Sequence, residues 1–239
     1  MNLVQKLPFS LSLACCLMMG ACSKEDIQAP QPQTEKVSTT ANLKANAIPV
    51  IPPTDGPAGL GVYANGWFKF VNYKPDDLHE HAAGTSTLTH AWGHPAMPWL
   101  KPLSEPVPKA GNFLTFIRHQ NVLGAGVQGH SQVRTIIKNL KPGKKYSISL
   151  YGASSIGTVN GLTTQYADAI YILTAGTNVG YASISLTGLK AQWKHRILTF
   201  QATATTAYFL FGCLGTNNNP PKHYFYGHLF VDKDSLKEI

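Results

Sequence analysis

The chain has 239 residues, of which 44% are hydrophobic and 13% are charged, and its formal net charge at pH 7 is +8. The length fits one folded domain with a full hydrophobic core. The positive charge favours acidic partners such as anionic glycans or lipid headgroups, although scattered lysines are also typical of a solvated surface. The closest approach to a basic patch is the group at 138, 141, 144 and 145, so nucleic-acid binding is not predicted.

The N-terminus predicts export. Residues 7–19 form an apolar run after Lys6 that is too short to span a bilayer and is typical of a secretory signal. The run ends in Met19-Gly-Ala-Cys22, which resembles the lipobox of bacterial lipoproteins. The resemblance implies that residues 1–21 are removed and that Cys22 carries lipid; the alternative is an ordinary signal peptide with a chance cysteine.

The segment after the anchor predicts a stalk. Residues 22–57 are rich in Pro, Gln, Thr and Ala, a composition that cannot bury enough apolar surface to fold. Glu25 and Asp26 resemble the export tag of surface lipoproteins, which implies an outer-membrane protein that faces outward and touches the membrane only through lipid. Residues 58–239 are then the folded domain.

The cysteines exclude a disulfide inside this domain. Cys15 and Cys16 leave with the signal and Cys22 carries the anchor, so Cys213 alone stays in the fold. Stability must therefore come from packing or from a bound ion.

From Asn65 onward the chain predicts β-structure. Short alternating runs rich in aromatic and β-branched residues are separated by Gly, Pro and Asn clusters, and no convincing amphipathic helix appears. The predicted strands include 134–138, 145–151, 169–173, 182–186, 195–200, 207–211 and 223–231. Residues 139–143 predict a turn between the first two. In 145–151 we expect Tyr146, Ile148 and Leu150 to face the core, with Ser147, Ser149 and Tyr151 on the opposite face.

The order of several short motifs resembles the galactose-binding-like jelly rolls, which include carbohydrate-binding modules of bacterial xylanases and cellulases. These motifs are Asn65-Gly-Trp-Phe68, Ala110-Gly-Asn-Phe-Leu114, Gln132-Val-Arg-Thr-Ile136, Leu140-Lys-Pro-Gly143, Trp193 before Thr199-Phe200-Gln-Ala202-Thr203, and Phe230-Val-Asp232. The resemblance implies an all-β, jelly-roll β-sandwich that binds carbohydrate without catalysis. The fold hosts many unrelated functions, so it specifies architecture better than ligand.

Many such jelly rolls hold a structural calcium between an acidic residue after the Asn-Gly-x-Phe motif and an aspartate near the C-terminus. This chain departs from the pattern, because Lys69 stands where the acid would be while Asp232 is kept. Calcium would lack hard oxygen ligands there. We expect the ammonium of Lys69 to replace the ion and pair with Asp232; the alternative is that both side chains point to water.

Sugar binding needs flat aromatic faces with a few polar groups beside them. In the last strand, alternation places Tyr224, Tyr226 and His228 on one face and core residues on the other. We expect Arg134, Tyr151 and Tyr171 on the same side as that tyrosine pair. The alternative is that both faces of the sheet bury their aromatics under loops.

Residues 77–99 contain an unusual group of imidazoles and indoles. The group comprises His79, His81, His90, His94, Trp92 and Trp99. Neutral imidazoles suit zinc, copper or nickel, so one interpretation is a transition-metal site. The others are a contact surface built on the two tryptophans and a solvated covering loop.

The sequence does not predict an enzyme. It has no Gly-x-Ser-x-Gly elbow, and its closest acidic cluster, at residues 76, 77 and 80, lies within one loop rather than across a cleft. The predicted function is a cell-surface lipoprotein that binds glycans without a cofactor. The alternatives are a structural or adhesion lipoprotein that contacts proteins or the envelope, and a metal-binding lipoprotein.

Overall fold

The computed structural model describes residues 47–70, 82–120, 128–159, 161–215 and 223–239. Their strands are, in chain order, β1 (Gly59–Leu60), β2 (Trp67–Phe70), β3 (Ala83–Thr87), β4 (Asn112–Gln120), β5 (Gln128–His130), β6 (Gln132–Ile137), β7 (Lys145–Ala153), β8 (Thr158–Val159), β9 (Leu162–Thr163), β10 (Gln165–Tyr166), β11 (Ala169–Ala175), β12 (Tyr181–Ser185), β13 (Lys194–Gln201), β14 (Ala207–Leu214), β15 (His223–Phe230) and β16 (Leu236–Glu238). A single 3-10 turn, Ala91–Gly93, follows β3. Within these ranges no helix has the length and hydropathy needed to cross a bilayer.

Two sheets pack face to face. The nine-stranded sheet has the order β1-β3-β4-β15-β7-β13, and β5, β10 and β16 pair with β4, β15 and β7. The five-stranded sheet has the order β12-β11-β14-β6-β2. The pairing is antiparallel except between β10 and β15. The predicted all-β, jelly-roll β-sandwich is therefore confirmed, and each of the seven strands predicted from the sequence is present.

Alternation along the strands builds the core between the sheets. In β7, Tyr146, Ile148 and Leu150 are fully buried in this core, as predicted, whereas the serines between them face outward. Phe209 and Phe211 of β14 meet the core from the other sheet. Each such side chain contributes roughly 1.5–3 kcal/mol on burial. Local alternation thus fixes which face of each sheet is internal.

The predicted turn at 139–143 is also present, and Asn139 and Gly143 adopt the left-handed conformation with φ of 63° and 84°. The two strands that it joins do not form a hairpin. β6 belongs to the five-stranded sheet and β7 to the nine-stranded sheet, so the connection crosses from one layer of the sandwich to the other.

The folded part includes residues that the sequence assigned to the stalk. Ile51 is fully buried in the core between the sheets. The indole Nε1 of Trp67 donates hydrogen bonds to the carbonyl oxygens of Pro52 and Pro53, each at 3.1 Å. The segment therefore packs beside β2 because Trp67 binds the backbone carbonyls of its two prolines.

Candidate functional site

The face of β15 that the sequence predicts to bind sugar is covered by other residues and forms a second hydrophobic core. Tyr224, Tyr226 and His228 are each at most 1% exposed, although they do lie on the face opposite the main core. The expectation that these three side chains face a ligand is wrong. The alternative, in which both faces of the sheet bury aromatic side chains, describes β15.

Both tryptophans of residues 77–99 cover this face of β15. Trp99 donates from Nε1 to the carbonyl oxygen of Thr87 at 3.0 Å, and its ring centroid lies 5.0 Å from that of Tyr226. Trp92 approaches the same tyrosine at 6.3 Å, and the backbone N–H of Trp92 donates to Ser86 Oγ. Both indoles are buried, so the predicted contact surface at Trp92 and Trp99 is wrong. They hold the covering segment on the sheet.

His228 lies at the centre of this second core. Its ring packs edge-on against Trp99 and Phe113, with centroids 5.0 Å apart in each case. Its Nδ1 lies 3.0 Å from Thr115 Oγ1. Burial lowers the pKa of His228 from 6.5 to about 3, so the ring is neutral at physiological pH and serves packing.

The four predicted metal ligands are divided between described and undescribed residues. His79 and His81 lie outside the described residues. The Nδ1 of His90 is 2.8 Å from Thr89 Oγ1, and the Nδ1 of His94 accepts from the N–H of Ala96 at 3.2 Å. The described ranges contain no group of three His, Cys, Asp or Glu side chains placed to hold a metal. Metal binding by this segment stays a prediction.

The expected ion pair of Lys69 with Asp232 is not formed in the part of the chain that the structure describes, where the ion pairs join Glu238 to two lysines. Lys69 sits at an inward position of β2, while Asp232 borders a cleft on the outer face of the other sheet. The two side chains therefore lie on different faces of the sandwich and do not meet. The link to the end of β15 comes instead from Thr54, whose N–H donates to Val231 O and whose Oγ1 accepts from Val231 N–H, both at 2.9 Å.

Arg134 and Tyr171 are predicted on the same side as the tyrosine pair, and this prediction is wrong. Both lie on the outer face of the five-stranded sheet, whereas the tyrosine pair belongs to the other sheet. Tyr171 lies across Gly212, where any side chain would collide with its ring. The Gln132 amide donates to the Tyr171 hydroxyl. Burial raises the pKa of Tyr171 to about 12, so it stays a neutral, fixed part of this face.

The same outer face carries the exposed aromatic residues. Among all described Phe, Tyr and Trp side chains, four are more than 40% exposed, and each belongs to this sheet. They are Phe68 (49% exposed) and Phe70 (42%) on β2, Tyr208 (49%) on β14 and Tyr181 (55%) on β12. We call these four residues, together with Arg134, the aromatic face.

Strand pairing joins the aromatic face into a continuous surface. Phe68 pairs with Arg134, and Arg134 pairs with Leu210. Leu210 pairs with Leu173, which in turn pairs with Tyr181. Five strands at about 4.8 Å spacing make this row roughly 19 Å wide. The surface is thus long enough to contact an extended ligand along its whole length.

Arg134 gives the aromatic face its polarity. Its guanidinium lies 5.5 Å from the ring centroid of Phe70, a cation–π arrangement that holds the side chain along the sheet. It is the one charged residue at the described outward strand positions of this sheet. Aromatic rings beside a fixed hydrogen-bond donor are the elements of a stacking site for polyhydroxylated ligands.

Tyr151 lies on the outer face of the nine-stranded sheet, so it is separated from Arg134 and Tyr171 by the whole sandwich. It is partly buried, with its ring 4.6 Å from that of His195. It borders a cleft of about 350 Å³. The sequence predicts Tyr151 on the same side of the sheet as the tyrosine pair, and this is confirmed, because Tyr151 pairs with Phe230, which lies on the same face of β15 as Tyr224 and Tyr226.

The comparisons with known proteins define no family. No family model and no curated protein matches the chain. Solved structures with a similar fold include the Stig cyclase Fisc from Fischerella sp. TAU, with 13% identity, 71% of this chain and 86% of that chain covered, and a TM-score of 0.41. TmCBM61 in complex with β-1,4-galactotriose has 8% identity, coverage of 66% and 87%, and a TM-score of 0.34. The K3 cleaved adhesin domain of Lys-gingipain from Porphyromonas gingivalis W83 has 14% identity, coverage of 77% and 95%, and a TM-score of 0.40. Likenesses this distant carry no argument about a ligand.

Proposed function

We propose that the protein is a non-catalytic, carbohydrate-binding lipoprotein whose aromatic face holds a glycan chain. The observation that carries the proposal is the gathering of the four exposed aromatic side chains of the described residues on one sheet. Exposed apolar groups scattered singly need no explanation, whereas a contiguous patch marks an interaction surface.

The chemistry of the face favours a sugar over a purely apolar partner. The C–H faces of pyranose rings stack on Phe and Tyr, and the tyrosine hydroxyls remain free to bond sugar oxygens. The guanidinium of Arg134 offers up to five N–H donors beside Phe68 and Phe70. Because that charge is positive, acidic sugars gain an additional attraction at this position.

The lipid anchor completes the proposal. Lipidation of Cys22 would attach the chain to the outer membrane, and residues 23–46 would serve as the stalk between the lipid and the packed residues that begin near Ile51. The test is mass spectrometry of the membrane fraction. Acylated Cys22 supports the proposed anchor. A Cys22→Ser variant that stays bound to the membrane would contradict it.

A structural or adhesion lipoprotein is the second candidate, since the same patch would also suit a protein partner. The two are separated with a glycan array probed by the chain from residue 23 to 239, with and without EDTA. Glycan binding that the Phe68→Ala/Tyr181→Ala double variant loses supports carbohydrate recognition. The matched control is Leu100→Ala, an exposed apolar residue outside the aromatic face. An array with no bound glycan would favour the adhesion candidate.

A further inference from the structure

A second concave site lies on the outer face of the nine-stranded sheet. The cleft of about 350 Å³ opens between β7, β13 and the turn that follows β15. Its volume is within the range of small-molecule sites, which starts at about 300 Å³. Val107, Tyr151 and Ile197 provide its apolar lining. The cleft is separated from the aromatic face by the full thickness of the sandwich.

Polar groups converge on this cleft from two directions. β7 contributes the hydroxyls of Ser147 and Ser149, which point outward because their neighbours in the strand fill the core. The turn after β15 contributes the carboxylates of Asp232 and Asp234. Asp232 Oδ1 accepts a hydrogen bond from the N–H of Lys233 at 2.8 Å, which fixes the carboxylate at the rim.

Ser235 gives an independent indication of a ligand. Its residue is 95% buried, it borders the cleft, and its Oγ has no hydrogen-bond partner among the described residues. Its backbone is fixed, because the N–H donates to Asp232 O and the carbonyl accepts from Ser149 N–H. Buried hydroxyls in native proteins nearly always have a partner, so an unpartnered oxygen in a residue that lines the cleft supports a polar ligand there.

The residues that line the cleft also indicate how the ring of a bound ligand would be oriented. The ring of Tyr151 lies 4.6 Å from that of His195 with the ring planes tilted by 31°, and the Nε2 of His195 lies 2.7 Å from Ser149 Oγ. These contacts fix the tyrosine ring as one wall of the cleft. A ligand with an apolar face and a rim of hydroxyls meets the ring on one side and the serines and carboxylates on the other.

We propose that this cleft is a binding site for a single uncharged pyranose, with Asp232 and Asp234 accepting hydrogen bonds from its hydroxyls. Two carboxylates on one rim repel an anionic sugar, and Lys237, which also borders the cleft, does not form an ion pair with either within 4.0 Å. The site is independent of the proposed aromatic face, because it uses other residues on the other sheet.

The experiment is chemical-shift mapping of the ¹⁵N-labelled chain 23–239 with methyl glycosides of glucose, galactose, mannose and xylose, and with glucuronate. Concentrations up to about 50 mM saturate a site with a millimolar Kd. We expect at least one uncharged glycoside to shift the amides of Ser149, Tyr151 and Ser235, and glucuronate to leave them unshifted. Asp234→Asn should weaken that Kd about tenfold, because it replaces a charged acceptor by a neutral one.

Two controls keep the test specific. Glu238→Gln changes a nearby carboxylate that is paired with lysines and should leave the Kd unchanged. The Phe68→Ala/Tyr181→Ala variant should also leave the Kd of the cleft unchanged. A loss of glycan binding at the aromatic face can therefore be distinguished from a loss of pyranose binding at the cleft. The proposal is overturned if no uncharged glycoside shifts the cleft amides, or if glucuronate shifts them equally.

Discussion

The indole of Trp99 stands edge-on to the ring of Tyr226, with 5.0 Å between ring centroids and 75° between ring planes. This contact closes the outer face of β15 and turns a potential ligand platform into a second core. The exposed aromatic rings of the described residues lie on the other sheet. The outer face of β15 is therefore packed, whereas the aromatic face of the other sheet is exposed to solvent.

Trp99→Ala should lower the free energy of unfolding by about 3–5 kcal/mol, because a large ring is removed from a packed interior. Tyr208→Ala removes an aromatic side chain that is half exposed and should cost about 1 kcal/mol or less. Urea unfolding followed by circular dichroism measures both. Equal losses for the two variants would show that Trp99 is not part of a core.

Acid should destabilise the protein through His228. Burial lowers the pKa of His228 from 6.5 to about 3, so between these values the unfolded chain binds a proton that the folded chain does not. Its contribution to stability is complete above pH 6.5 and falls as pH decreases below 6.5, by up to about 1.4 kcal/mol per pH unit.

His228→Phe should remove this part of the pH dependence while keeping the ring between Trp99 and Phe113. The measurement is the free energy of unfolding of both proteins at pH 8 and pH 5. The difference between the two pH values should be smaller for the variant. An unchanged difference would mean that His228 is protonated in the folded protein or does not control acid stability.

Thr54→Val should destabilise the sandwich by about 1–3 kcal/mol, since the N–H of Val231 then loses its acceptor inside the fold. Thr203→Val, at an exposed threonine, is the matched control. Thermal unfolding should show a lower Tm for the first variant alone. If Thr54→Val behaves like the control, the contact with Val231 does not hold the segment on the sandwich.

Removal of divalent metal should leave the Tm unchanged. The residues at the end of β15 are held by neutral hydrogen bonds from Thr54, and Lys69 stands where the calcium-binding jelly rolls have an acid. The measurement is thermal unfolding of the chain before and after dialysis against EDTA. A large decrease in Tm that calcium restores would reveal a structural ion.

The strands were predictable where one face is polar. Residues 145–151 alternate between apolar and polar side chains, so both the strand β7 and the inward position of Ile148 follow from local sequence. The outer face of β15 was not predictable in this way. Tyr224 and Tyr226 suit both a ligand platform and a covered surface, and the choice depends on residues 88–99, which have no periodicity that shows where they pack.

The aromatic face was missed for a related reason. Phe68 and Phe70 alternate with Trp67, and three aromatic residues in four positions do not reveal which of them face the core. The structure resolves the register, because Trp67 bonds the carbonyls of Pro52 and Pro53 inside the fold. The two phenylalanines must then point outward.

The most direct test of carbohydrate binding is affinity electrophoresis of the chain 23–239 in gels that contain xylan, galactan, β-glucan, mannan or polygalacturonate. The account predicts that at least one polysaccharide retards the wild-type chain and Leu100→Ala equally. It also predicts that Phe68→Ala/Tyr181→Ala weakens this interaction by about tenfold or more, since each lost stacking contact contributes roughly 0.5–1.5 kcal/mol. Equal retardation of the double variant and the wild type, or no retardation by any polysaccharide, would contradict it.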